Sequence, residues 1–245
     1  PMADQPGVIL LRSGLFDSPQ ARYSFVAARP FLTTRSFGSR CEVADGRETQ
    51  VQFGNPWHLL DVLMARYELL DEVDLPFPLG GCFGCWGYDL KNFVEPQLPR
   101  RAVNDLELPD CHVGFYDSLV VFDHRLDKVW IVSTGLRADG SRDARHAQEQ
   151  LEWWQAALTG EGATESDPRP GLSSEHSNGG QDEVGSNLTR AEFLSAVERA
   201  QQYIRAGDIY QVNLAHRLAM RAPCAPWNFF QRLNAASRAP FAAFA

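Results

Sequence analysis

Lysine is almost absent from this sequence, since only Lys91 and Lys128 occur among its 23 basic residues. Lysine acting as a general base or forming a Schiff base therefore has few candidates within these 245 residues. Clusters of basic residues are also missing, and the formal net charge is −8 with a pI near 5.3. These absences argue against binding to nucleic acid or to an anionic membrane surface. They favour a small molecule or another protein as the partner.

Cysteine is scarce as well, and no long apolar run is present. Five cysteines without regular spacing predict reduced thiols in a cytoplasmic protein rather than a disulfide framework. The apolar run at 8–11 lies between Asp4 and Arg12 and is too short for a signal peptide or a membrane span. Because the sequence opens on Pro1 and stops inside an apolar run at Ala245, we expect it to be a fragment.

The sequence does contain enough apolar material for a core, with 44% hydrophobic and 11% aromatic residues. Short segments with turn residues between them predict strands at GVILLRS, ARYSFVAA, RCEVADG, CHVGFYDSLVVFD and KVWIVST. Helical periodicity and capping residues predict helices at 55–71, 144–158, 189–207 and from Pro226 onward. Strands and helices mixed without a βαβ repeat predict an α+β fold.

A polar region divides the sequence into three parts. Residues 160–187 are dominated by Gly, Ser, Pro and acidic residues and contain no aromatic residue, which predicts a linker. We therefore predict an N-terminal domain at 1–159 and the start of a second domain at 188–245. Thr189 and Glu192 form a capping box at the beginning of that second domain.

The stretch AGDIYQVNLAHRLAM, residues 206–220, is unusual because two amides interrupt a segment that otherwise predicts a buried strand. Side chains alternate across a strand, so Gln211 and Asn213 point to the same side. Two amides on one face are compatible with a solvated strand face or with the wall of a pocket. The residues alone leave both interpretations open.

Four glycines within GGCFGCWGYDL, residues 80–90, predict that this backbone passes close to another element. Their spacing does not match a phosphate-binding loop. Cys82 and Cys85 resemble half of a zinc site whose other half would be Cys111 and His112. Because that second pair is adjacent, tetrahedral coordination is awkward, so we predict no metal ligands in this sequence. A zinc-binding structural protein remains an alternative.

Several segments together resemble the chorismate-utilising enzyme family. They are LLRS at 10–13, RYSFVAARP at 22–30, GGCFGCWGYDL at 80–90, AGDIYQVNLAHR at 206–217 and APFAAF at 239–244. The resemblance follows the same order along the chain and spares the linker. Its most specific part is GDIYQVNL.

The resemblance implies a fold like that of anthranilate synthase component I, with two packed β-sheets, helices outside, and the C-terminal part missing from this sequence. It implies amination of chorismate to 4-amino-4-deoxychorismate for para-aminobenzoate and folate synthesis. A glutamine amidotransferase subunit or domain would supply the ammonia, and Mg²⁺ would be the cofactor. The family's key lysine and its Mg²⁺-binding glutamates match positions beyond residue 245, so we expect these residues alone to be inactive.

The resemblance also gives Gln211 a catalytic role. Relatives that form isochorismate or salicylate carry a water-activating lysine at the matching position, whereas aminating relatives carry glutamine. An amide has no titratable proton near neutral pH, so Gln211 would orient a substrate hydroxyl without recruiting water. Asn213 is typical of the aminodeoxychorismate branch and is the predicted substrate contact, while the anthranilate branch usually has valine there.

A tryptophan pocket is the second site that the resemblance implies. Its expected residues come from the first strands and from the end of the sequence: Ser13, Tyr23, Ser24, Pro240 and Phe241. Arg12 and Ala242 depart from the glutamate and methionine of the family. The alternatives to an aminodeoxychorismate-forming enzyme are therefore an anthranilate-forming one and a non-catalytic module that binds tryptophan.

Overall fold

A computed structural model describes most of the chain. The described residues are 2–15, 20–70, 73–101, 105–160, 184–221, 224–237 and 239–245. They form two compact units, which we call the first unit (Pro1–Ser166 with Phe230–Ala245) and the second unit (Asp167–Phe229). The predicted linker lies largely outside the described residues. The last residues belong to the first unit, although the sequence grouped them with residues 188–229.

The first unit is built on two antiparallel sheets of five strands each. The first sheet contains β1 (Ile9–Ser13), β2 (Tyr23–Ala27), β8 (Ser118–Asp123), β9 (Lys128–Ser133) and β12 (Phe241–Phe244), in the order β12-β1-β2-β8-β9. The second sheet contains β3 (Leu32–Phe37), β4 (Arg40–Ala44), β5 (Thr49–Phe53), β6 (Gly81–Trp86) and β7 (Cys111–Tyr116), in the order β5-β4-β3-β7-β6. The predicted α+β fold is confirmed.

Helices complete the two units. They are α1 (Pro56–Arg66), α2 (Lys91–Val94), α3 (Ala144–Thr159), α4 (Arg190–Ala206) and α5 (Pro226–Ala236), with β10 (Gly185–Ser186) and β11 (Leu218–Ala219) pairing in the second unit. None of the helices in the described ranges combines the length and apolar character needed to cross a membrane.

Helix α1 begins where the sequence predicts. The Asn55 side chain accepts a hydrogen bond from the Trp57 amide at 3.0 Å, and Pro56 occupies the first helical position. The helix ends at Arg66, earlier than the predicted residue 71, and Tyr67 follows as its C-cap. Leu60, Leu63 and Tyr67 are buried, so this face packs on the second sheet in a cluster with Val113 and Phe115.

The two sheets share a core, and the chain passes between them at 28–31 and again at Asp117. Asp117 is the only residue between β7 in the second sheet and β8 in the first. Tyr116 at the end of β7 packs in a cluster with Ile9 and Leu119 of the first sheet. The prediction for CHVGFYDSLVVFD therefore covers two strands in different sheets.

The glycine-rich segment forms edge strand β6, and its predicted close approach to another element is confirmed. A Cβ atom placed on Gly84 would lie 2.2 Å from the backbone oxygen of His112. A Cβ atom on Gly80 would lie 2.5 Å from the backbone oxygen of Tyr116. Both glycines therefore allow β6 to lie against β7 at a distance that a larger residue prevents.

Candidate functional site

The segment that carries the predicted catalytic residue follows helix α4 in the second unit. The helix starts with the predicted capping box, in which Thr189 and Glu192 bond to each other's backbone amides. It ends at Gly207, which has a left-handed φ of +82°. The Asp208 amide then donates to the Tyr203 carbonyl at 3.0 Å, which turns the chain into the segment at 209–217.

The prediction of a continuous strand that begins after Gly207 and runs to residue 220 is wrong. Only Leu218–Ala219 is a strand, and it pairs with Gly185–Ser186. A strand needs a hydrogen-bonding partner along its length. No strand in the described part of the chain pairs with residues 209–217. The apolar side chains of Tyr210, Val212 and Leu214 are exposed.

Gln211 and Asn213 nevertheless lie together, as their spacing predicts. The Gln211 Nε2 donates to the Asn213 Oδ1 at 3.5 Å, and both residues are exposed. The Gln211 Oε1 and the Asn213 Nδ2 take no part in this bond, so the pair also offers one acceptor and one donor. This pair can hydrogen-bond a substrate hydroxyl or carboxylate, but neither amide can take up a proton near neutral pH.

The C-terminal end of this segment is fixed to residues at 186–187. The Arg217 amide donates to the Asn187 Oδ1 at 2.8 Å, and the Asn187 amide donates to the Arg217 carbonyl at 3.1 Å. Ser186 Oγ lies 2.7 Å from His216 Nε2. These contacts hold the backbone a few residues after Asn213.

The residues of the predicted tryptophan pocket lie in the first unit, where β1 pairs with both β2 and β12. Ser13 is the register partner of Phe241, and Leu11 is the partner of both Ala243 and Phe25. A cavity of about 470 Å³ lies against these strands, and Ser13, Tyr23 and Phe241 line it. Three of the five residues predicted for the tryptophan pocket therefore line one cavity.

The other two expected residues support this cavity without lining it. Ser24 Oγ accepts a hydrogen bond from the Ser13 amide at 3.0 Å and lies 2.7 Å from His124 Nε2. The Pro240 carbonyl accepts a hydrogen bond from the Gly14 amide at 2.9 Å, which continues the ladder between β1 and β12. Gln20 and Phe25 also line the cavity. The alternation of β2 places Phe25 on the Tyr23 face, so this signal was present in the sequence.

The hydroxyl groups that line this cavity differ in whether they have a hydrogen-bond partner. Ser13 is buried, and its hydroxyl donates to the Tyr23 carbonyl at 2.6 Å. The Tyr23 hydroxyl is buried and has no hydrogen-bond partner in the described structure. Since a buried hydroxyl without a partner is costly, Tyr23 gives this wall a polar group with bonding capacity to spare.

An ion pair stabilises the end of β2 that lies next to this cavity. The Arg22 guanidinium donates to both carboxylate oxygens of Asp123, with Nη2 at 2.7 Å from Oδ2. Asp123 also accepts from the Arg125 and Leu126 amides. The Arg22 hydrogen bond is the main reason that the pKa of Asp123 falls to about 2, so this carboxylate is ionised at neutral pH. The same guanidinium lies 4.7 Å from the centroid of the Tyr23 ring.

The zinc alternative finds no support in the geometry. Cys82 and Cys85 are three residues apart on β6, so their side chains point to opposite faces of the second sheet. Burial raises the pKa of the Cys82 thiol to about 12, whereas Cys85 is exposed and lies opposite the exposed His112. Throughout the described ranges, no three His, Cys, Asp or Glu side chains lie close enough together to hold a metal ion.

Comparison with known proteins gives a family match over nearly the whole chain. Residues 12–245 match the family model described as chorismate binding enzyme. Aminodeoxychorismate synthase component 1 of Escherichia coli is 32% identical over 98% of this chain and 48% of its own length. Anthranilate synthase component 1 of Acetivibrio thermocellus is 29% identical over 90% of this chain and 44% of its own length.

A solved structure shows the same fold. Anthranilate synthase component I from Streptococcus pneumoniae superposes with a TM-score of 0.64 at 24% identity, over 91% of this chain and 47% of that protein. The predicted fold, like that of anthranilate synthase component I, is thus confirmed. The chain spans about half the length of the curated relatives described above.

Proposed function

The chain belongs to the family of chorismate binding enzymes, and on this premise we propose that the protein aminates chorismate to 4-amino-4-deoxychorismate. The observation that carries the proposal is the exposed amide pair of Gln211 and Asn213, which presents hydrogen-bonding groups without a base. The similarity to aminodeoxychorismate synthase component 1, at 32% identity over almost the whole chain, supports it.

In this proposal Gln211 is the catalytic residue and Asn213 is the substrate contact. The Gln211 amide orients the hydroxyl that leaves the ring, and the Asn213 amide holds a second oxygen of the substrate. Because neither side chain can deprotonate water, ammonia faces no water nucleophile activated at this position. A glutamine amidotransferase subunit or domain would supply that ammonia, and product formation from glutamine should then depend on its presence.

Magnesium remains a prediction from the family resemblance. Among the described residues, no three His, Cys, Asp or Glu side chains lie close enough together to hold a metal ion, so none of them is identified as a magnesium ligand. We therefore assign no step at Gln211 or Asn213 to the ion. In the experiments below, Mg²⁺ is included as the cofactor that the family resemblance implies.

The direct test is a product assay on the full-length protein with chorismate, Mg²⁺ and an ammonium salt. We expect 4-amino-4-deoxychorismate, separated from anthranilate by chromatography. Gln211→Lys should lower amination on the order of 100-fold, since loss of one well-placed hydrogen-bonding group has that effect in active sites. It should also yield a hydroxylated product, because lysine is able to activate water.

Gln202→Lys is the matched control, since Gln202 is an exposed glutamine on α4 of the same unit. It should leave both rate and product unchanged. Anthranilate as the main product of the unaltered protein would instead favour the anthranilate-forming alternative, which the relative from Acetivibrio thermocellus also supports. An unchanged product and rate in Gln211→Lys would remove Gln211 from the catalytic site.

A second proposal is that the cavity beside Ser13 binds tryptophan. Its volume of about 470 Å³, its apolar walls at Phe25 and Phe241, and the unpartnered Tyr23 hydroxyl favour a ligand with an aromatic body and a polar group. We expect Phe241→Ala to weaken tryptophan binding about tenfold in calorimetry, because aromatic anchors dominate such contacts. Phe53→Ala, at an exposed phenylalanine of the second sheet, should leave binding unchanged. No heat at millimolar tryptophan would refute this proposal.

A further inference from the structure

A second cavity, of about 460 Å³, lies at the other sheet of the first unit, beside the C-terminal end of α1. We call it the α1 cavity. Its apolar floor is made by residues in or next to β3, β4 and α1: Phe31, Leu32, Val43, Leu63 and Tyr67. Neither the family resemblance nor the proposed reaction gives this cavity a role. Its volume is within the range that holds a small organic molecule.

Two aromatic rings give the floor its shape. The Phe31 and Tyr67 rings meet edge to face, with centroids 5.0 Å apart and planes at 73°. The Tyr67 hydroxyl donates to the Ala138 carbonyl at 2.7 Å. Because that hydroxyl is already bonded, Tyr67 offers the cavity its ring, and the floor fits an apolar or aromatic group.

Positive charges reach the cavity from two elements that are far apart in the sequence. Arg47 lies in the turn between β4 and β5, and Arg66 is the last residue of α1. The Arg66 guanidinium lies 5.4 Å from the centroid of the Tyr67 ring. Neither arginine forms an ion pair with a described residue. Arg137, which also lines the cavity, is already paired with Asp143 at 2.9 Å.

Negative charges line the same cavity and are bonded only to uncharged donors. Asp45 accepts from the Arg47 and Glu48 amides at 2.9 and 3.1 Å, and Asp139 accepts from the Ser141 amide and hydroxyl. These hydrogen bonds hold the pKa of both carboxyl groups below their usual values, so both are ionised at neutral pH. The Glu48 Oε1 accepts from the Gln50 side-chain Nε2 at 2.6 Å.

Two guanidinium groups and three carboxylates thus surround one apolar floor without forming ion pairs with each other. A ligand of one charge would meet like charges on this rim, whereas a ligand with both charges has partners for each. We propose that the α1 cavity is a binding site for a zwitterionic amino acid with an aromatic side chain. Its carboxylate binds Arg47 and Arg66, its ammonium binds the carboxylates, and its ring lies on Phe31 and Tyr67.

The test is calorimetry of the purified protein with L-phenylalanine, hydrocinnamate and phenethylamine. Hydrocinnamate lacks the ammonium group and phenethylamine lacks the carboxylate, so each should bind at least about tenfold more weakly than phenylalanine, as expected for loss of one charged hydrogen-bonding partner. Arg66→Gln and Asp139→Asn should each weaken phenylalanine binding by a similar factor. Equal affinity of all three probes, or no heat with phenylalanine at millimolar concentration, overturns the proposal.

Two control variants identify the cavity that is occupied. Arg100→Gln removes an exposed arginine outside the α1 cavity and should leave phenylalanine binding unchanged. Phe241→Ala alters only the cavity beside Ser13 and should also leave it unchanged. Loss of phenylalanine binding in Phe241→Ala together with normal binding in Arg66→Gln overturns the proposal, because the ligand would then occupy the cavity beside Ser13. Because the measurement is ligand binding and not catalysis, its result does not depend on whether the protein aminates chorismate.

Discussion

Gly84→Ala is expected to lower the free energy of unfolding by on the order of 3–5 kcal/mol, which combines overpacking with backbone strain. The added Cβ would lie 2.2 Å from the His112 backbone oxygen and 2.7 Å from the Val113 Cα. Both atoms belong to the backbone of β7, which is hydrogen-bonded on its other side to β3. The neighbour therefore has little freedom to move away. Gly84 also has a φ of +155°, which side-chain-bearing residues rarely adopt.

Urea unfolding followed by circular dichroism measures this effect. Gly46→Ala is the matched control, because Gly46 has a φ of +84° but no atom within 4 Å of the added Cβ. It should lose only about 1 kcal/mol, the cost of a positive φ without a clash. If both variants lost the same free energy of unfolding, the close contact between Gly84 and β7 would make no contribution to stability.

Sequence motifs were sufficient to predict structure where the stabilising contacts lie within a single helix or turn. Asn55 followed by Pro56, and Thr189 followed by Glu192, predicted two helix starts, and both caps form. These motifs act through backbone amides within four residues, so no distant contact is needed to interpret them. The strands β3 and β5 were missed, because LTTRSF and TQVQF are rich in polar residues. Pairing with β4 and β7 holds β3, and pairing with β4 holds β5, rather than an alternating apolar face.

The change of sheet at Asp117 had no sequence signal. Apolar residues are frequent in both β7 and β8, and only the pairing partners show that the two strands belong to different sheets. Asp117 itself is buried, and burial raises the pKa of its carboxyl group. His146 on α3 lies 3.2 Å from it. A buried acidic residue at this position became understandable only when the fold brought His146 of α3 next to it.

In the candidate sites, too, local features were predicted and features that depend on long-range contacts were not. The spacing of Gln211 and Asn213 predicted that the two amides lie together, and they do so although the expected strand is absent. Ladder partners decide whether a segment becomes a strand, and a single sequence does not show them. The α1 cavity was not predicted, because its charges come from separate segments, the end of α1 and two turns, that meet only in the folded unit.

Trp154→Ala is expected to lower the free energy of unfolding by about 3–5 kcal/mol, as for other fully buried tryptophans. Trp154 on α3 is 0% exposed and packs in a cluster with Val8, Ala28 and Val120. Its indole Nε1 also donates to Ser118 Oγ at 3.1 Å. Removal of the ring leaves a cavity between α3 and the first sheet, and it takes the hydrogen bond with it.

Two further variants separate packing from hydrogen bonding, with chemical unfolding followed by far-ultraviolet circular dichroism. Trp154→Phe keeps an aromatic ring but loses the N–H donor, so it should cost less than the alanine variant. Trp153→Ala, at the half-buried neighbour whose ring centroid is 4.7 Å from that of Trp154, should cost only about 1–2 kcal/mol. If Trp153→Ala were as costly as Trp154→Ala, the attachment of α3 would depend on the edge-to-face pair of indoles and on the Arg29 contact with the Trp153 ring at 4.8 Å, rather than on the Trp154 indole alone.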